Sequence, residues 1–316
     1  METLRILFAS DFHGSQRVYK KFLNAGKIYK ADILVAGGDL TGKAIVPIIK
    51  RSYNYYTVRY KGEDLEIRSE EEVSRIRNDI IDSGYYPFDT TPEELQKLSA
   101  EAVDKLFSAF MKERIENWVK LAEERLKGIA KVYILPGNDD RFDIDEAFEN
   151  SDFVENPEGK VIKINSYEMV ATGFSNITPW NAPRDVPEDE LLKKVDQMMK
   201  KVENMENCIF VSHCPPFACG IDFAPKLDAN RKPLISGSGH VTAPAGSTAI
   251  RKAIETYQPL LGLHGHIHES PGVTKIGRTV CINPGSEYET GILKAALITL
   301  RKEKSKVDVE NVFIQG

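Results

Sequence analysis

Short apolar runs constrain the fold of this chain most, because they recur along it and alternate with segments of helical periodicity. Five runs of four to six residues are bounded by Gly, Pro, Asp or His, as buried strands are. They occupy residues 4–9, 33–36, 132–135, 208–211 and 260–263. This alternation predicts an α/β fold with a largely buried sheet. Further strand-like runs start at residues 161, 169, 279, 294 and 307, so we expect two packed sheets flanked by helices.

Three segments between these runs are predicted to be helices. Residues 15–30 repeat apolar side chains at helical spacing, and Pro187 opens a second helix with one apolar face. Ser247 is a plausible N-cap for a third helix, over residues 249–257.

Residues 50–127 do not fit the alternation. Residues 55–67 read as a hairpin with a Lys-Gly-Glu-Asp turn, and two charged amphipathic helices follow. The second helix is predicted to start at Thr91 and to turn one apolar side inward, namely Leu95, Leu98, Ala102, Leu106, Phe110 and Trp118. We therefore expect a single domain over residues 1–316 in which residues 50–127 are an insertion, serving as a cap or as a surface for homo-oligomer formation.

Composition limits the partners. The formal net charge is -5 and the sequence pI is about 5.8, which argues against long nucleic acid or an anionic membrane as partner. The apolar N-terminal run is too short for a signal peptide or a membrane span, so a cytoplasmic protein is expected. The four cysteines form no C-x-x-C pair, and their spacing favours reduced thiols over a zinc site at Cys214 and Cys219.

Polar side chains follow five of the predicted strands directly. The motifs are Asp11-Phe12-His13, Gly38-Asp39, Pro136-Gly137-Asn138-Asp139-Asp140, His213 and His264-Gly265-His266-Ile267-His268. Each motif alone has a simpler explanation as a turn, a chance pair or a packing histidine. Because the carboxyl ends of the strands form the ligand crevice of an open α/β sheet, their shared position predicts one common site.

The side chains of these motifs suit divalent transition metals. Imidazole, carboxylate and amide donors favour Mn, Fe, Zn, Co or Ni over an all-oxygen calcium site. The seven candidate metal ligands are Asp11, His13, Asp39, Asn138, His213, His266 and His268. Seven ligands are enough for two ions if one carboxylate bridges them at about 3.5–4 Å. The His266-x-His268 spacing on an extended segment points both rings the same way.

The order of the motifs resembles the calcineurin-like metallophosphoesterase superfamily, with its pattern D-x-H, G-D, G-N-H-[D/E], H and G-H-x-H. The resemblance covers residues 1 to about 45 and about 128 to 316. The stretches HGHIHES and INPGS look like the branch of bacterial and archaeal predicted phosphoesterases related to cyclic-nucleotide phosphodiesterases.

The resemblance implies a two-sheet αββα sandwich with two divalent ions at the strand ends, manganese favoured. By motif, Asp11, His13 and His268 would hold the first ion. Asn138, His213 and His266 would hold the second, and Asp39 would bridge. His264 is left as a packing residue.

Asp139 departs from the family pattern, which has a histidine at this position thought to stabilise the transition state or protonate the leaving group. Asp139 could serve as a general acid only if its pKa were raised well above about 4. Otherwise we expect a substrate with a good leaving group or a replacement donor. His240, in a Pro- and Gly-rich loop, is the candidate donor, weighed against a solvent-facing histidine. Arg141 is a candidate to hold a phosphate oxygen, weighed against a surface arginine.

Together these observations predict the hydrolysis of a phosphate ester, a small or nucleotide-like phosphodiester, by a metal-bridging hydroxide, with Asn138 and Asp139 at the reaction centre. A nuclease is the first alternative, although the lysine pairs at 193–194 and 200–201 read more simply as a solvated helix face. A non-catalytic metal-binding scaffold is the second, and it depends on the change at Asp139.

Overall fold

The computed structural model describes residues 2–149, 151–237, 239–304 and 306–316. The strands are β1 Glu2–Ala9, β2 Ile33–Gly37, β3 Ile45–Ser52, β4 Tyr55–Tyr60, β5 Glu63–Ile67, β6 Tyr86–Thr90, β7 Lys131–Leu135, β8 Val154–Glu155, β9 Val161–Ile164, β10 Tyr167–Thr172, β11 Ser175–Asn176, β12 Asp185–Val186, β13 Cys208–Ser212, β14 Phe223–Pro225, β15 Ile235–Ser236, β16 Gly239–His240, β17 Thr242–Pro244, β18 Leu261–Leu263, β19 Gly272–Ile276, β20 Thr279–Asn283, β21 Lys294–Glu303 and β22 Lys306–Gln315.

The α-helices are α1 Gln16–Ile28, α2 Glu70–Asp82, α3 Pro92–Lys97, α4 Ala100–Leu126, α5 Glu146–Glu149, α6 Glu188–Met199 and α7 Thr248–Tyr257. Within the described part of the chain, none of these helices has the length and apolar character needed to cross a membrane.

Two six-stranded sheets form the centre of the molecule. The first has the order β22-β21-β1-β2-β7-β8, and the second has the order β19-β20-β18-β13-β10-β9. The inner strands β1, β2 and β7 are parallel, as are β10, β13, β18 and β20, while the outer strands β9, β19, β21 and β22 pair antiparallel. Their parallel strands therefore end at a common edge.

Alternating side chains of each strand fill two different cores. In β1, Leu4, Ile6 and Phe8 pack between the two sheets, while Leu7 and Ala9 face the helices on the outside of the first sheet. On the second sheet the helices α6 and α7 cover the outer face. The predicted αββα sandwich is confirmed.

The predicted helix starts are confirmed by their caps. Ser15 and Ser247 accept hydrogen bonds from the backbone N–H groups of Val18 and Ile250, which are orphan donors in the first turns of α1 and α7. Pro187 occupies the N-cap position of α6.

The segment inserted after β2 is a small sheet with one helix against it. The predicted hairpin is β4–β5, and it joins β3 and β6 in a four-stranded sheet of order β5-β4-β3-β6 that begins at Ile45. The apolar face of α2, through Val73 and Ile80, closes a separate core with these strands.

The single helix expected from Thr91 is two helices. Thr91 and Glu94 form a capping box at the start of α3, and Leu98 is extended (φ -70°, ψ 116°), so the chain restarts as α4 with Ser99 as N-cap. Among the residues expected to point inward, Trp118 is fully buried, whereas Leu95, Leu98, Ala102, Leu106 and Phe110 are half-exposed.

The second half of α4 belongs to the sandwich. Met111, Ile115, Trp118 and Ala122 pack with α1 on the outer face of the first sheet, because α4 is the crossover that returns the chain from the insertion to β7. The segment that stands apart from the sandwich therefore starts at about residue 45 and ends before the middle of α4.

Three glycines, Gly14, Gly42 and Gly84, allow the insertion to pack closely against the loop that follows β1. A Cβ atom at Gly84 would lie 2.1 Å from the His13 carbonyl oxygen, and one at Gly42 would lie 1.9 Å from the Gly84 carbonyl oxygen. Gly14 packs against the same two glycines. The buried guanidinium of Arg114 donates to the carbonyl oxygens of Gly14, Ile81 and Tyr85, which ties the two segments together.

Candidate metal centre

Six of the seven predicted ligands lie in two groups at the carboxyl edge of the sheets. We call Asp11, His13 and His268 the Asp11 group, and Asp39, His213 and His266 the Asp39 group. Within each group one ligand atom of every side chain lies within 4.8 Å of the others. His13, Asp39 and Asp139 form a third set of the same kind, which overlaps both groups.

The backbone is unusual at four of these positions. The φ angles of Asp11, His13, Asp39 and His266 are 59°, 41°, 51° and 67°, in the left-handed region that non-glycine residues rarely adopt. Such strain persists only where surrounding contacts impose it, and it concentrates at functional sites. Here the loops after β1 and β2 run side by side, with Asp11 N–H donating to the Gly38 carbonyl and His13 N–H to the Asp39 carbonyl, both at 2.9 Å.

The Asp11 group brings donor atoms into close contact. His268 Nε2 lies 3.2 Å from Asp11 Oδ1 and 3.2 Å from His13 Nε2. The Asp11 carboxylate also accepts a hydrogen bond from the backbone N–H of His266, and so fixes the fifth motif relative to the first. The ring of Tyr288 lies 4.5 Å from the His13 ring and encloses this side of the group.

In the Asp39 group the tautomer of His213 is set by the strand beside it. His213 Nδ1 lies 2.9 Å from the Gly37 carbonyl oxygen, which can only accept, so Nδ1 carries the proton. The opposite nitrogen, Nε2, is buried, has no hydrogen-bond partner among the described residues, and lies 3.2 Å from Asp39 Oδ1. A free imidazole nitrogen held in this way is suited to bind a metal.

Asn138 is oriented by a carboxylate. Its amide nitrogen donates to Asp185 Oδ1 at 2.9 Å, and its buried amide oxygen has no partner among the described residues. A buried amide oxygen without a donor is costly, and a cation is one group that would complete its environment.

The carboxylates and imidazoles of the two groups strongly affect one another's pKa values. Burial alone would raise the pKa of Asp11 and Asp39, but the neighbouring imidazoles His268 and His213 outweigh burial and lower both values. Burial opposes the charged form of His213, yet Asp39 raises its pKa to about 10. Burial lowers the pKa of His266 to about 4.

These residues fit the divalent ions that the motifs imply. Asn138 Oδ1 and His213 Nε2 are buried atoms without a hydrogen-bond partner among the described residues, and the ring nitrogens of His13 and His268 converge on each other. The mixed set of imidazole, carboxylate and amide atoms matches the preference of Mn, Fe, Zn, Co and Ni.

Asp139 lies at the edge of the centre. Burial and then the charge of Asp39 raise the pKa of Asp139 to about 6, although Lys43 opposes this shift. Its backbone N–H donates to Asp39 Oδ1 at 3.0 Å, and its Oδ2 atom lies 3.3 Å from Lys43 Nζ. The raised pKa is the condition under which a carboxyl group at this position could donate a proton near neutral pH.

Asp140, next to it, holds two loops in register. Its buried carboxylate accepts hydrogen bonds from the backbone N–H groups of Leu40, Thr41 and Gly137 and from the Thr41 hydroxyl, at 2.7–2.9 Å for the closest contact to each donor. The loop after β2 and the loop after β7 are thereby fixed to each other.

Two predicted site residues lie elsewhere. His240 is exposed on β16, in a hairpin-like excursion in which β14 pairs with β17 and β15 with β16, and among the described residues its side chain makes no hydrogen bond to the centre. The Arg141 guanidinium pairs with Asp104 at 2.5 Å and lies over the Phe107 ring. Although Arg141 lies near the end of a strand, its side chain points away from the centre, because Asp104 and Phe107 of α4 provide an ion pair and an aromatic contact there.

The structure adds residues that the motifs did not indicate. Lys43 and Tyr288 contact the centre, and Asp185 orients Asn138. Lys43 could have been noticed because it follows Gly38-Asp39 by four residues, but Asp185 lies 47 residues from Asn138 and no local pattern marks it. His264 is buried away from both groups, with Nδ1 3.1 Å from the Ser212 carbonyl oxygen.

Comparison with known proteins identifies relatives of the chain. An uncharacterized protein of Methanocaldococcus jannaschii is 36% identical over 172 residues, which cover 54% of this chain and 70% of that protein. Two solved structures share the fold at low identity. One has a TM-score of 0.58 at 14% identity, and TT1561 of Thermus thermophilus has a TM-score of 0.52 at 13% identity; each alignment covers 98% of this chain and 99% of the other.

A family model also matches a continuous stretch of the chain. Residues 79–270, more than half of its length, match the model for calcineurin-like phosphoesterases, and this stretch contains Asn138, His213, His266 and His268. The chain therefore belongs to the calcineurin-like phosphoesterase family, a family of hydrolases that act on phosphoester bonds.

Proposed function

We propose that this protein hydrolyses a small phosphodiester at a centre of two divalent metal ions. The observation that carries the proposal is the position of Asp39 between the two groups. Its Oδ1 atom lies 3.2 Å from His213 Nε2, and its Oδ2 atom lies 3.6 Å from His13 Nε2. One carboxylate with an oxygen toward each group is what a bridging ligand between two ions requires.

The Asp11 group would hold the first ion, and Asn138 with His213 and His266 would hold the second. Divalent ions supply charge neutralisation at phosphoryl oxygens and make water nucleophilic at neutral pH. The protein keeps the donors in place beforehand: Gly37 sets the tautomer of His213, Asp185 directs the oxygen of Asn138, and the left-handed backbone aims Asp11 and Asp39.

The acidity of the pocket supports a diester as substrate. Asp139 and Asp140 stand beside the ligand carboxylates, and the chain as a whole has a net charge of -5. A phosphodiester carries one negative charge, whereas a monoester approaches two at neutral pH, so the diester meets less repulsion. The same charge distribution disfavours long nucleic acid, which binds through basic tracks.

Activity assays with defined metal content test the proposal. Chelator-treated protein, reloaded with manganese, would be given bis(4-nitrophenyl) phosphate, 4-nitrophenyl phosphate and a labelled oligonucleotide. We expect turnover of the diester to exceed that of the monoester and to require the metal. Asp39→Asn should abolish it, while Glu269→Gln, an exposed acid beside His268, should not change it.

Two other results of these assays would favour a nuclease or a non-catalytic scaffold. Preferential cleavage of the oligonucleotide, with binding that weakens steeply as salt is added, would point to a nuclease instead. Protein that binds metal but turns over none of the three substrates would be a scaffold, and the proposal would be wrong.

A further inference from the structure

Lys43 lies where a positive charge can reach a phosphoester bound at the metal centre. Its ammonium nitrogen is 3.3 Å from Asp139 Oδ2, and its side chain is 52% exposed. Asp139 in turn forms a set with His13 and Asp39 in which one ligand atom of each side chain lies within 4.8 Å of the others. The ammonium group therefore contacts a carboxylate that itself lies beside ligands of both groups.

The backbone of Lys43 is fixed on both sides. On the N-terminal side, the backbone N–H groups of Leu40 and Thr41 donate to the Asp140 carboxylate. The same carboxylate accepts a hydrogen bond from the N–H of Gly137, in the loop that contains Asp139. On the other side, Gly42 N–H donates to the Tyr86 hydroxyl at 2.8 Å, and Tyr86 N–H donates to the Ala44 carbonyl at 3.0 Å. Tyr86 of the insertion thus helps to hold the backbone on both sides of Lys43, which lies just before the insertion.

The neighbouring arginines are engaged in other contacts. Arg141 pairs with Asp104, Arg184 is buried and pairs with Asp145 at 2.7 Å, and Arg114 is buried against backbone carbonyls. Lys43, by contrast, is paired with a residue of the centre itself. Because both members of the Lys43–Asp139 pair are partly exposed, the pair is weak and the ammonium can turn to a stronger anion.

We propose that Lys43 binds a phosphoryl oxygen of the substrate and that Asp139 is its resting partner. This inference rests on the proposed function, since it concerns the same site. It gives the insertion an indirect part in substrate recognition, through the contacts of Tyr86 with Gly42 and Ala44, and it places a positive charge beside Asp139, where the family has a histidine.

Binding of inorganic phosphate to the manganese-loaded protein, measured by calorimetry, tests the inference without relying on turnover. Lys43→Met should weaken phosphate binding by about 10–100-fold, the range of a hydrogen bond to a charged group. Lys43→Arg keeps the charge and should stay within about threefold of the parent protein. Lys163→Met is the matched control: this exposed lysine pairs with Glu203 at 3.0 Å on the edge strand β9, and its loss should change nothing.

Two further measurements separate direct contact from indirect effects. Metal content by mass spectrometry should be equal in the parent protein and Lys43→Met. Asp139→Asn should bind phosphate at least as tightly as the parent protein, because it removes a negative charge and leaves Lys43 in place.

Several results would overturn the assignment. Unchanged phosphate affinity in Lys43→Met would do so, as would loss of metal from that variant, equal weakening in Asp139→Asn, or a parent protein that binds no phosphate. If phosphate binding depends on Lys43 but no ester is hydrolysed, the proposed function fails and the assignment of Lys43 stands.

Discussion

The amide nitrogen of Asn138 donates to Asp185 Oδ1 at 2.9 Å, and this contact fixes the orientation of an amide group whose oxygen is buried and has no hydrogen-bond partner among the described residues. Asp185 Oδ2 also accepts from the backbone N–H groups of Thr178 and Ala182, so the orienting carboxylate is itself held rigidly. Partners of this kind affect metal affinity although they do not touch the ion.

Asp185→Ala should therefore weaken binding of the second manganese ion by about 10–100-fold, because the Asn138 amide loses its fixed orientation. Calorimetric titration of the metal-free protein with manganese would measure it, with a thermal unfolding curve to show that the variant is folded. Asp189→Asn, an exposed acid on α6, is the control. Two ions bound as tightly as in the parent protein would contradict the role given to Asp185.

His213→Ala should reduce the metal content from two manganese ions per chain to one. His213 supplies to the Asp39 group a buried nitrogen that has no hydrogen-bond partner in the described part of the chain, whereas the Asp11 group does not contain His213. Elemental analysis after dialysis against a low concentration of manganese would give the stoichiometry, with Glu269→Gln as control. Retention of both ions would remove His213 from the site, and loss of both would show that the two groups are not separable.

Asp139→Asn should slow hydrolysis of diesters with alkyl leaving groups by about 10²–10⁴-fold, the usual contribution of a general acid. The nitrophenyl diester should be affected little, since nitrophenolate leaves without protonation. Comparing the two rates in the same preparation cancels differences in metal content. An equal loss for both substrates would mean that Asp139 acts on binding and not on the leaving group.

Gly84→Ala should destabilise the protein more than Gly62→Ala. The two glycines have similar φ angles, 91° and 81°, so both substitutions carry the same backbone penalty of about 1–2 kcal/mol. At Gly62 an added Cβ meets no atom of the described residues within 4 Å, while at Gly84 it would lie 2.1 Å from the His13 carbonyl oxygen. Overpacking adds about 1–3 kcal/mol.

Urea denaturation of both variants measures this difference directly, because subtracting one change in the free energy of unfolding from the other isolates the contact with His13. Equal destabilisation of the two variants would show that the loop of His13 yields easily. The metal content of Gly84→Ala should also fall, since His13 belongs to the Asp11 group.

The two packed sheets and their common edge could be predicted because they depend on local periodicity. The run from Leu4 to Ala9 has the length and bounds of a buried strand, and the parallel neighbours of such strands end together. Asp11 and His213 are 202 residues apart, yet His213 Nε2 lies 3.9 Å from Asp11 Oδ1 because each follows a strand of that edge.

Side-chain direction could not be predicted in the same way. Arg141 follows a strand as Asp139 does, but Asp104 of α4 draws it away from the centre. The break at Leu98 depends on the new N-cap at Ser99, and the crossover role of α4 depends on its packing against the first sheet, neither of which apolar spacing alone reveals. The use of the insertion as an oligomer surface stays a prediction.

The contact of Gly14, Gly42 and Gly84 also determines whether the insertion could be removed without disturbing the rest of the protein. An insertion linked only by its two chain ends could be transplanted or deleted as a unit. Here the main chain of residues 81–85 packs closely against the loop of His13 and Gly14. The guanidinium of Arg114 donates to carbonyl oxygens of both segments. Deleting the insertion would leave the buried Arg114 guanidinium without the Ile81 and Tyr85 carbonyl oxygens and would remove the backbone that packs against the His13 carbonyl, so a shortened version would need new contacts at both places.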